Sequence, residues 1–412
     1  MPADALAPYV HREVALDAAG RRLVFATSLD LFSSHQVDVG SRLLLRTLDP
    51  VLAARPAEAP GARILDVGCG YGALGVTLAA SPGAAGAHLV DRDALGVDFA
   101  LENARRNGLE DRVTAAPGLG FDAVPEGARY DLVVSNVPGK AGEAVIASML
   151  LGALGVLAPG GLVAVVVIEP IREPVAASLD RADIEVTLRR DTADYSVFHY
   201  RPAPGAAFPP PGDAFAAGTY DAATLTFEDT RGEPVSLATV QGLPGYDRVD
   251  LLEEALLRRL PALAAGARVL VSHPGQGVLP AAVLRACRGA SLVLVDRDVL
   301  ALRVARRALL ALGAVEAAVE ARVVGAWRED SAADARADLV LGVLHEGGGA
   351  AAVTAEYRGL LAAVAPGGRA LLAGSSTAVT RLLALPLPAG LRAARTRHRG
   401  TSVLEVTRAA NA

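Results

Sequence analysis

The stretch Ile64-Leu65-Asp66-Val67-Gly68-Cys69-Gly70-Tyr71-Gly72-Ala73-Leu74-Gly75 decides the fold of this 412-residue chain. An apolar run leads into an Asp and then into glycines at alternate positions. That pattern is a buried strand, a tight turn and the start of a helix. Alternate glycines let a backbone approach a ligand with no Cβ in the way. The carboxyl end of such a strand is where open α/β sheets take their ligands. The spacing G-x-G-x-G differs from the dinucleotide fingerprint G-x-G-x-x-G, whose helix N-terminus holds a pyrophosphate. Asp66, beside the loop, disfavours a pyrophosphate and suits a cationic or amine-bearing ligand.

Downstream, His88-Leu89-Val90-Asp91-Arg92-Asp93 reads as a second strand ending in an acid. A carboxylate at Asp91 can take the ribose hydroxyls of an adenosine. Apolar residues at helical spacing follow from Ala94, and Asn107-Gly108 stops that helix. Tyr130-Asp131-Leu132-Val133-Val134-Ser135-Asn136-Val137-Pro138-Gly139-Lys140 is a further strand running into a loop. Upstream, Asp38 or Ser41 can cap a helix that carries Leu43, Leu44 and Leu45 into the core.

Taken together, these segments resemble the class I S-adenosylmethionine (SAM) methyltransferases. Asp66 to Gly75 resembles their motif I. Asn136 to Lys140 resembles motif IV, usually Asn-Pro-Pro and an aromatic. Phe32-Ser33, then Asp38-Val39-Gly40-Ser41 and the leucines, is similar to the signature of the small-domain methyltransferases, which include ribosomal RNA guanine-N2 enzymes. The resemblance implies a SAM site at Asp66, Gly68, Cys69, Gly70, Asp91, Arg92 and Asn136. It implies an acceptor site at Asn136, Pro138 and Lys140, and pocket residues at Phe32, Asp38 and Ser41. In that family the Asn side chain and the next carbonyl accept hydrogen bonds from a planar substrate nitrogen, which is catalysis by positioning. Val137 replaces the first proline, and Gly139 stands where the aromatic would be. Lys140 is the chain's only lysine. It is either a remnant of arginine-rich composition or an ammonium that this loop needs. Cys69 reads as packing.

The chain also repeats itself. Gly61-Ala62-Arg63-Ile64-Leu65 returns as Gly266-Ala267-Arg268-Val269-Leu270, and Leu89-Val90-Asp91-Arg92-Asp93 returns unchanged as Leu294-Val295-Asp296-Arg297-Asp298. Ala158-Pro159-Gly160-Gly161 recurs at Ala365-Pro366-Gly367-Gly368. The period is far too long for a solenoid repeat. It implies an α/β protein of two tandem Rossmann-like methyltransferase domains. Each has a mostly parallel seven-stranded sheet with helices on both faces, as the resemblance implies. The expected boundaries are 1–201 for the catalytic domain, 202–218 for a Pro-rich linker, and 219–412 for the second copy. That copy is degenerate. Asp66-Val67-Gly68-Cys69-Gly70 becomes Val271-Ser272-His273-Pro274-Gly275, and Asn136-Val137-Pro138 becomes Val343-Leu344-His345. His273 and His345 read as satisfied or exposed histidines. In the two-domain ribosomal RNA enzymes the degenerate half comes first; here it comes second.

Composition narrows the class further. The chain is 52% apolar and 21% charged, so each domain can bury a sizeable core. Two cysteines, Cys69 and Cys287, exclude a disulfide framework, and the seven histidines show no metal-ligand spacing. Met149 to Ile168 is uncharged, but Pro159-Gly160-Gly161 splits it into a helix, a turn and a buried strand from Leu162 rather than a membrane span. The charged start of the chain is unlike a signal peptide, so a soluble, cytoplasmic protein is expected. Residues 1–201 carry 18 basic and 25 acidic side chains, and residues 202–412 carry 22 and 20. Arginines gather at Arg303, Arg306 and Arg307 and at Arg392, Arg395, Arg397 and Arg399. They read either as a solvated face or as a dock for RNA phosphates. The expected activity is SAM-dependent methylation of a nitrogen, with an RNA base, of ribosomal RNA guanine-N2 type, as acceptor. The alternatives are a small-molecule or protein side-chain acceptor, or a SAM-binding scaffold without activity.

Overall fold

The computed structural model describes residues 5–54, 61–398 and 400–410. They form two compact units: Val10–Tyr220 and, with the segment ending at Tyr9, the remainder from Asp221.

In the first unit a hairpin of β1 (Arg12–Ala18) and β2 (Arg21–Thr27) precedes α1 (Val39–Ala53). There follow β3 (Ala62–Val67), α2 (Ala73–Ala79), β4 (Ala84–Asp91), α3 (Ala94–Arg106) and β5 (Val113–Pro117). The unit continues with β6 (Tyr130–Asn136), α4 (Glu143–Gly155), β7 (Leu157–Ile168), α5 (Arg172–Leu179), β8 (Ile184–Asp191) and β9 (Tyr195–Pro202). The sheet runs β5-β4-β3-β6-β7-β9-β8, with β9 antiparallel to both its neighbours and the other pairs parallel. The strand order reverses between β3 and β6, where doubly wound sheets open a crevice for ligands. Both faces of the central strands are covered, so Ile64, Leu65, Val133 and Val134 are all buried. Asp66 and Ser135 are the buried polar exceptions on β3 and β6, and both sit at the carboxyl ends.

Two amides attach the hairpin. Asn103 and Asn107 are one helical turn apart, on and just after α3. Asn103 Oδ1 accepts from the Ala26 amide at 2.7 Å and its Nδ2 donates to the Ala26 carbonyl at 3.0 Å. Asn107 repeats this with Val24 at 2.9 and 2.8 Å. The edge of β2 thus gains the partners that a neighbouring strand would supply. Asn107 also closes α3, and Gly108 follows at φ +65°, as the sequence pattern predicts.

The sequence and the structure differ in two places. The strand expected from Leu162 begins at Leu157. Its register against β6 jumps between Tyr130 and Leu132, so Pro159-Gly160-Gly161 is a bulge within β7 rather than a turn before it. The stretch 202–218 is held against the first unit. Phe208 packs on its core, Phe215 is buried, and the Pro209 carbonyl lies 2.1 Å from where Gly155 would place a Cβ. Proline's fixed φ makes the stretch extended, and the small residues of α4 let it lie close.

The second unit repeats the plan. It comprises β10 (Asp221–Glu228), β11 (Pro234–Val240), α6 (Leu251–Leu257), β12 (Arg268–Ser272), α7 (Val278–Ala286), β13 (Ser291–Asp296) and α8 (Val299–Ala311). It ends with β14 (Val319–Val323), β15 (Ala337–Val343), α9 (Gly349–Ala362), β16 (Val364–Ser375), α10 (Ser376–Leu383), β17 (Leu391–His398) and β18 (Thr401–Arg408). The order β14-β13-β12-β15-β16-β18-β17 matches the first sheet strand for strand. Its hairpin keeps one amide clamp, with Gln276 Oε1 accepting from the Val240 amide at 3.1 Å and Nε2 donating to the Val240 carbonyl at 3.0 Å, and otherwise packs by apolar contact: Leu225, Phe227, Val235 and Leu237 bury against Ala281, Ala282 and Ala308. Among the described residues, no helix is long and apolar enough to cross a membrane.

Candidate functional site

The loop from β3 to α2 is shaped by glycine. Gly68, Gly70 and Gly72 have φ of +77°, +52° and +88°, a region that side-chain-bearing residues avoid. A Cβ on Gly68 or Gly70 would meet no atom within 4 Å, so the loop surface there is open. The loop's own N–H groups are already engaged. Gly68 and Cys69 donate to the Val90 carbonyl at 2.8 and 3.1 Å, and Gly70 donates to Asp91 Oδ2 at 2.7 Å. This loop has not kept its amides free for a phosphate. Cys69 is buried, and burial raises its thiol well above the usual range, which suits packing.

Asp66 is fully buried at the end of β3. Its Oδ2 accepts from the Gly75 amide in the first turn of α2 at 2.8 Å, and its Oδ1 is buried with no partner. Burial, and then the charge of Asp91, push its carboxyl up to about 7. Asp91 lies at the end of β4, half-buried, with burial pushing it up to about 6. It holds both the Gly70 amide and, at 2.8 Å, the Asp93 amide. Arg92 is half-buried beside it. Asp91 beside an amide-satisfied loop, with Asp66 buried behind it, favours a cation.

The second cluster forms where β6 ends. Asn136 Nδ2 donates to Asp38 Oδ2 at 2.9 Å and to Ser41 Oγ at 3.0 Å. Asp38 caps α1 through the Ser41 amide at 2.9 Å, and its other oxygen accepts from Tyr195 Oη at 3.1 Å. One buried carboxylate thus ties together α1, β6 and β9. It also fixes the Asn136 amide, with the NH₂ turned to Asp38 and Ser41 and the carbonyl oxygen left as acceptor. Sequence gives no sign of Tyr195. It follows Asp38 by 157 positions, and nothing local marks it.

Other candidates fall outside these clusters. Phe32 is 69% exposed. Pro138 and Lys140 are exposed, so an ammonium made special by burial is not what Lys140 provides. Gly139 is explained by packing, since a Cβ there would lie 2.5 Å from Ile168 Cδ1. The aliphatic side chain of β7 fills the place.

The same positions in the second unit hold a different construction. His273, in place of Gly68, has φ +51°. Its ring lies 3.4 Å from Asp296 Oδ1 through Nδ1 and 3.0 Å from Glu356 Oε1 through Nε2. Despite burial, these two carboxylates raise the imidazole to about 10. Asp296, the counterpart of Asp91, is therefore already neutralised from within. The His345 ring lies 5.6 Å from that of His273, and its backbone amide donates to Glu356 at 3.2 Å.

Comparison with known proteins agrees with this geometry. Residues 22–199 match the family model of the methyltransferase small domain. The chain is similar to ribosomal RNA small subunit methyltransferase C of Stutzerimonas stutzeri, 37% identical over 135 residues, which are 33% of this chain and 36% of that protein. It is also similar to the ribosomal protein L11 methyltransferase of Pelotomaculum thermopropionicum, 36% identical over 187 residues, 42% of this chain and 57% of that one. The chain therefore spans between about a third and just over half of these relatives' lengths. A solved structure, the T. thermophilus 16S rRNA N2 G1207 methyltransferase (RsmC) in complex with AdoMet and guanosine, aligns over 97% of this chain and 99% of its own, with a TM-score of 0.61 at 20% identity. That likeness establishes the tandem fold over both halves. Among the described residues no cluster of His, Cys, Asp and Glu could hold a metal ion.

Proposed function

We propose that the small-domain half is a SAM-dependent methyltransferase of ribosomal RNA guanine-N2 type, working in the cytoplasm, with the second unit as its RNA dock. The observation that carries this reading is the fixed amide of Asn136. With Nδ2 held by Asp38 and Ser41, Oδ1 is left available to a donor outside the protein. An exocyclic amine donates there and has its lone pair turned away from the amide. When bound, SAM supplies a methyl on a sulfonium, an already activated leaving group. The residues fit it. The open surface over Gly68 and Gly70 admits an unhindered ligand, Asp91 complements its positive charge with Asp66 acting from behind the loop, and Asp91 retains lone pairs for ribose hydroxyls. Gly68, Cys69, Gly70 and Arg92 form the wall around it. The T. thermophilus neighbour, a complex with AdoMet and guanosine, supports the choice of this ligand pair.

Calorimetric titration with SAM tests the cofactor half of this reading: wild type binds, and Asp66→Ala loses at least tenfold in affinity. Asn136→Ala, assayed at saturating SAM, lowers methyl transfer to ribosomal RNA by about a hundredfold, about 2.7 kcal/mol. Undiminished transfer would refute the role given to Asn136.

A protein side chain is the second reading. It is favoured by Gly139, which leaves no aromatic face for a base, and by the likeness to an L11 methyltransferase. Labelled SAM incubated with separated ribosomal RNA and protein fractions decides between them by which fraction carries the label.

A further inference from the structure

Two of the arginines that the sequence singles out are paired with carboxylates within the second unit. Arg306 pairs with Glu316, and Arg307 lies 2.7 Å from Asp221. Arg395 donates to Thr380 at 2.6 Å, and Arg399 lies outside the described residues. A different group of arginines outnumbers its carboxylates. A cleft of about 560 Å³ beside α9 is walled by Arg336, Arg358 and Arg408 and rimmed by apolar Leu385 and Leu387.

Among the described residues, no carboxylate pairs with Arg336 or Arg408. The Arg408 guanidinium is oriented by a 3.0 Å bond from one terminal nitrogen to the Leu361 carbonyl, and its Nε is buried without a partner. Burial, and then the charge of Arg336, draw it below the usual arginine range. Arg358 has only a loose contact, 3.9 Å from an exposed Glu329. Tyr357, 2% exposed, also walls the cleft, and its hydroxyl has no hydrogen-bond partner. Three guanidiniums against the single exposed carboxylate of Glu329 leave the cleft with an excess of positive charge, which an anion would complete. Guanidiniums present forked donors suited to phosphate. Leucine and proline at the rim offer a surface for sugars and bases.

We propose that this cleft grips the phosphodiester backbone of an RNA strand. The proposal rests on the reading of the protein as an RNA methyltransferase, and it assigns the docking to particular side chains. Its test uses the full chain, a fluorescein-labelled ribosomal RNA hairpin and anisotropy over a range of salt concentrations. Arg336→Glu with Arg358→Glu changes two exposed positions, so folding is preserved. SAM titration, expected to be unchanged, checks that. The double variant is expected to bind the hairpin at least tenfold more weakly, with a salt slope lower by about two. Arg306→Ala, at a neutralised position, is expected to keep wild-type affinity within about twofold. Unchanged affinity and slope in the double variant overturn the proposal. So does binding of inorganic pyrophosphate that the double variant loses while its RNA binding stays intact, which would make the cleft a site for a small phosphate. A wild-type chain that binds RNA through the cleft but methylates none would sink the catalytic reading and leave the dock standing. RNA methylation at full rate and affinity in the double variant would do the reverse.

Discussion

Asp38 serves three partners with one carboxylate. It caps α1, holds Asn136 and receives Tyr195. The sequence marks it only as a cap and pocket residue, because the cap is local and the other partners are distant. Tyr195→Phe removes one hydrogen bond to a charged acceptor. It is expected to lower kcat roughly tenfold while leaving the SAM dissociation constant unchanged, with the loss absent when Asn136 is already Ala. Asp66 behaves differently. Its carboxyl, raised from 3.8 to about 7, ionises more easily in the unfolded chain, so folding stability declines as pH rises between those values. A cationic ligand favours the ionised form. SAM should therefore bind roughly tenfold more tightly around pH 8 than around pH 5, with proton release visible as a buffer-dependent heat. His273 has the opposite sign. Its folded value of about 10 lies above the ordinary imidazole value of 6.5. Its stabilisation is fully present below 6.5 and is lost as pH rises through about 10. In His273→Gln the second unit should lose about 3 kcal/mol at neutral pH and much of its alkaline sensitivity, as read by urea unfolding across the pH range.

At the scale of elements, the two hairpins show what pattern can and cannot reveal. The end of α3 was legible because Asn107-Gly108 is a stop signal. The amide clamps were not, because an Asn on a helix reads equally as a solvated side chain. Asn103 is fully buried and bonded on both sides. Asn103→Leu leaves the Ala26 amide and carbonyl unsatisfied and should destabilise the first unit by about 2–3 kcal/mol, measurable as a lower urea midpoint. The equivalent position in the second unit is Ala308, buried against an apolar hairpin, and there no such loss is available. The Pro-rich stretch 202–218 was misleading for a related reason. Composition reports that it is extended, whereas the small residues of α4 that receive it lie far upstream. The bulge in β7 recurs in β16, where the register jumps between Ala337 and Leu339. The repeated Ala-Pro-Gly-Gly thus encodes a bulge in both copies, not a turn.

For the whole molecule, the duplication was the most legible feature, since an offset between copies survives changes of individual residues. Strand order follows it faithfully in both sheets. What the offset could not show was how the second copy had compensated for its lost loop. Because only the first unit keeps the open glycine surface, saturating SAM should raise one calorimetric transition and leave the other in place, with about 2.7 kcal/mol gained at a hundredfold excess over the dissociation constant. A shift in both transitions would mean that the second unit also binds.

The bridge from His273 to Asp296 and Glu356 also bears on the history of the chain. Replacing His273 with the ancestral kind of residue would not restore a ligand site. It would leave two buried carboxylates facing each other with no cation between them, a fold poorer than either the old state or the present one. Recovery needs at least a second change at Glu356, and then Pro274 must yield as well to return a backbone donor. Each step back passes through a weaker protein. The imidazole of His273 is thus an internal cation that fills, from the chain itself, the place beside Asp296 that the first unit leaves open beside Asp91.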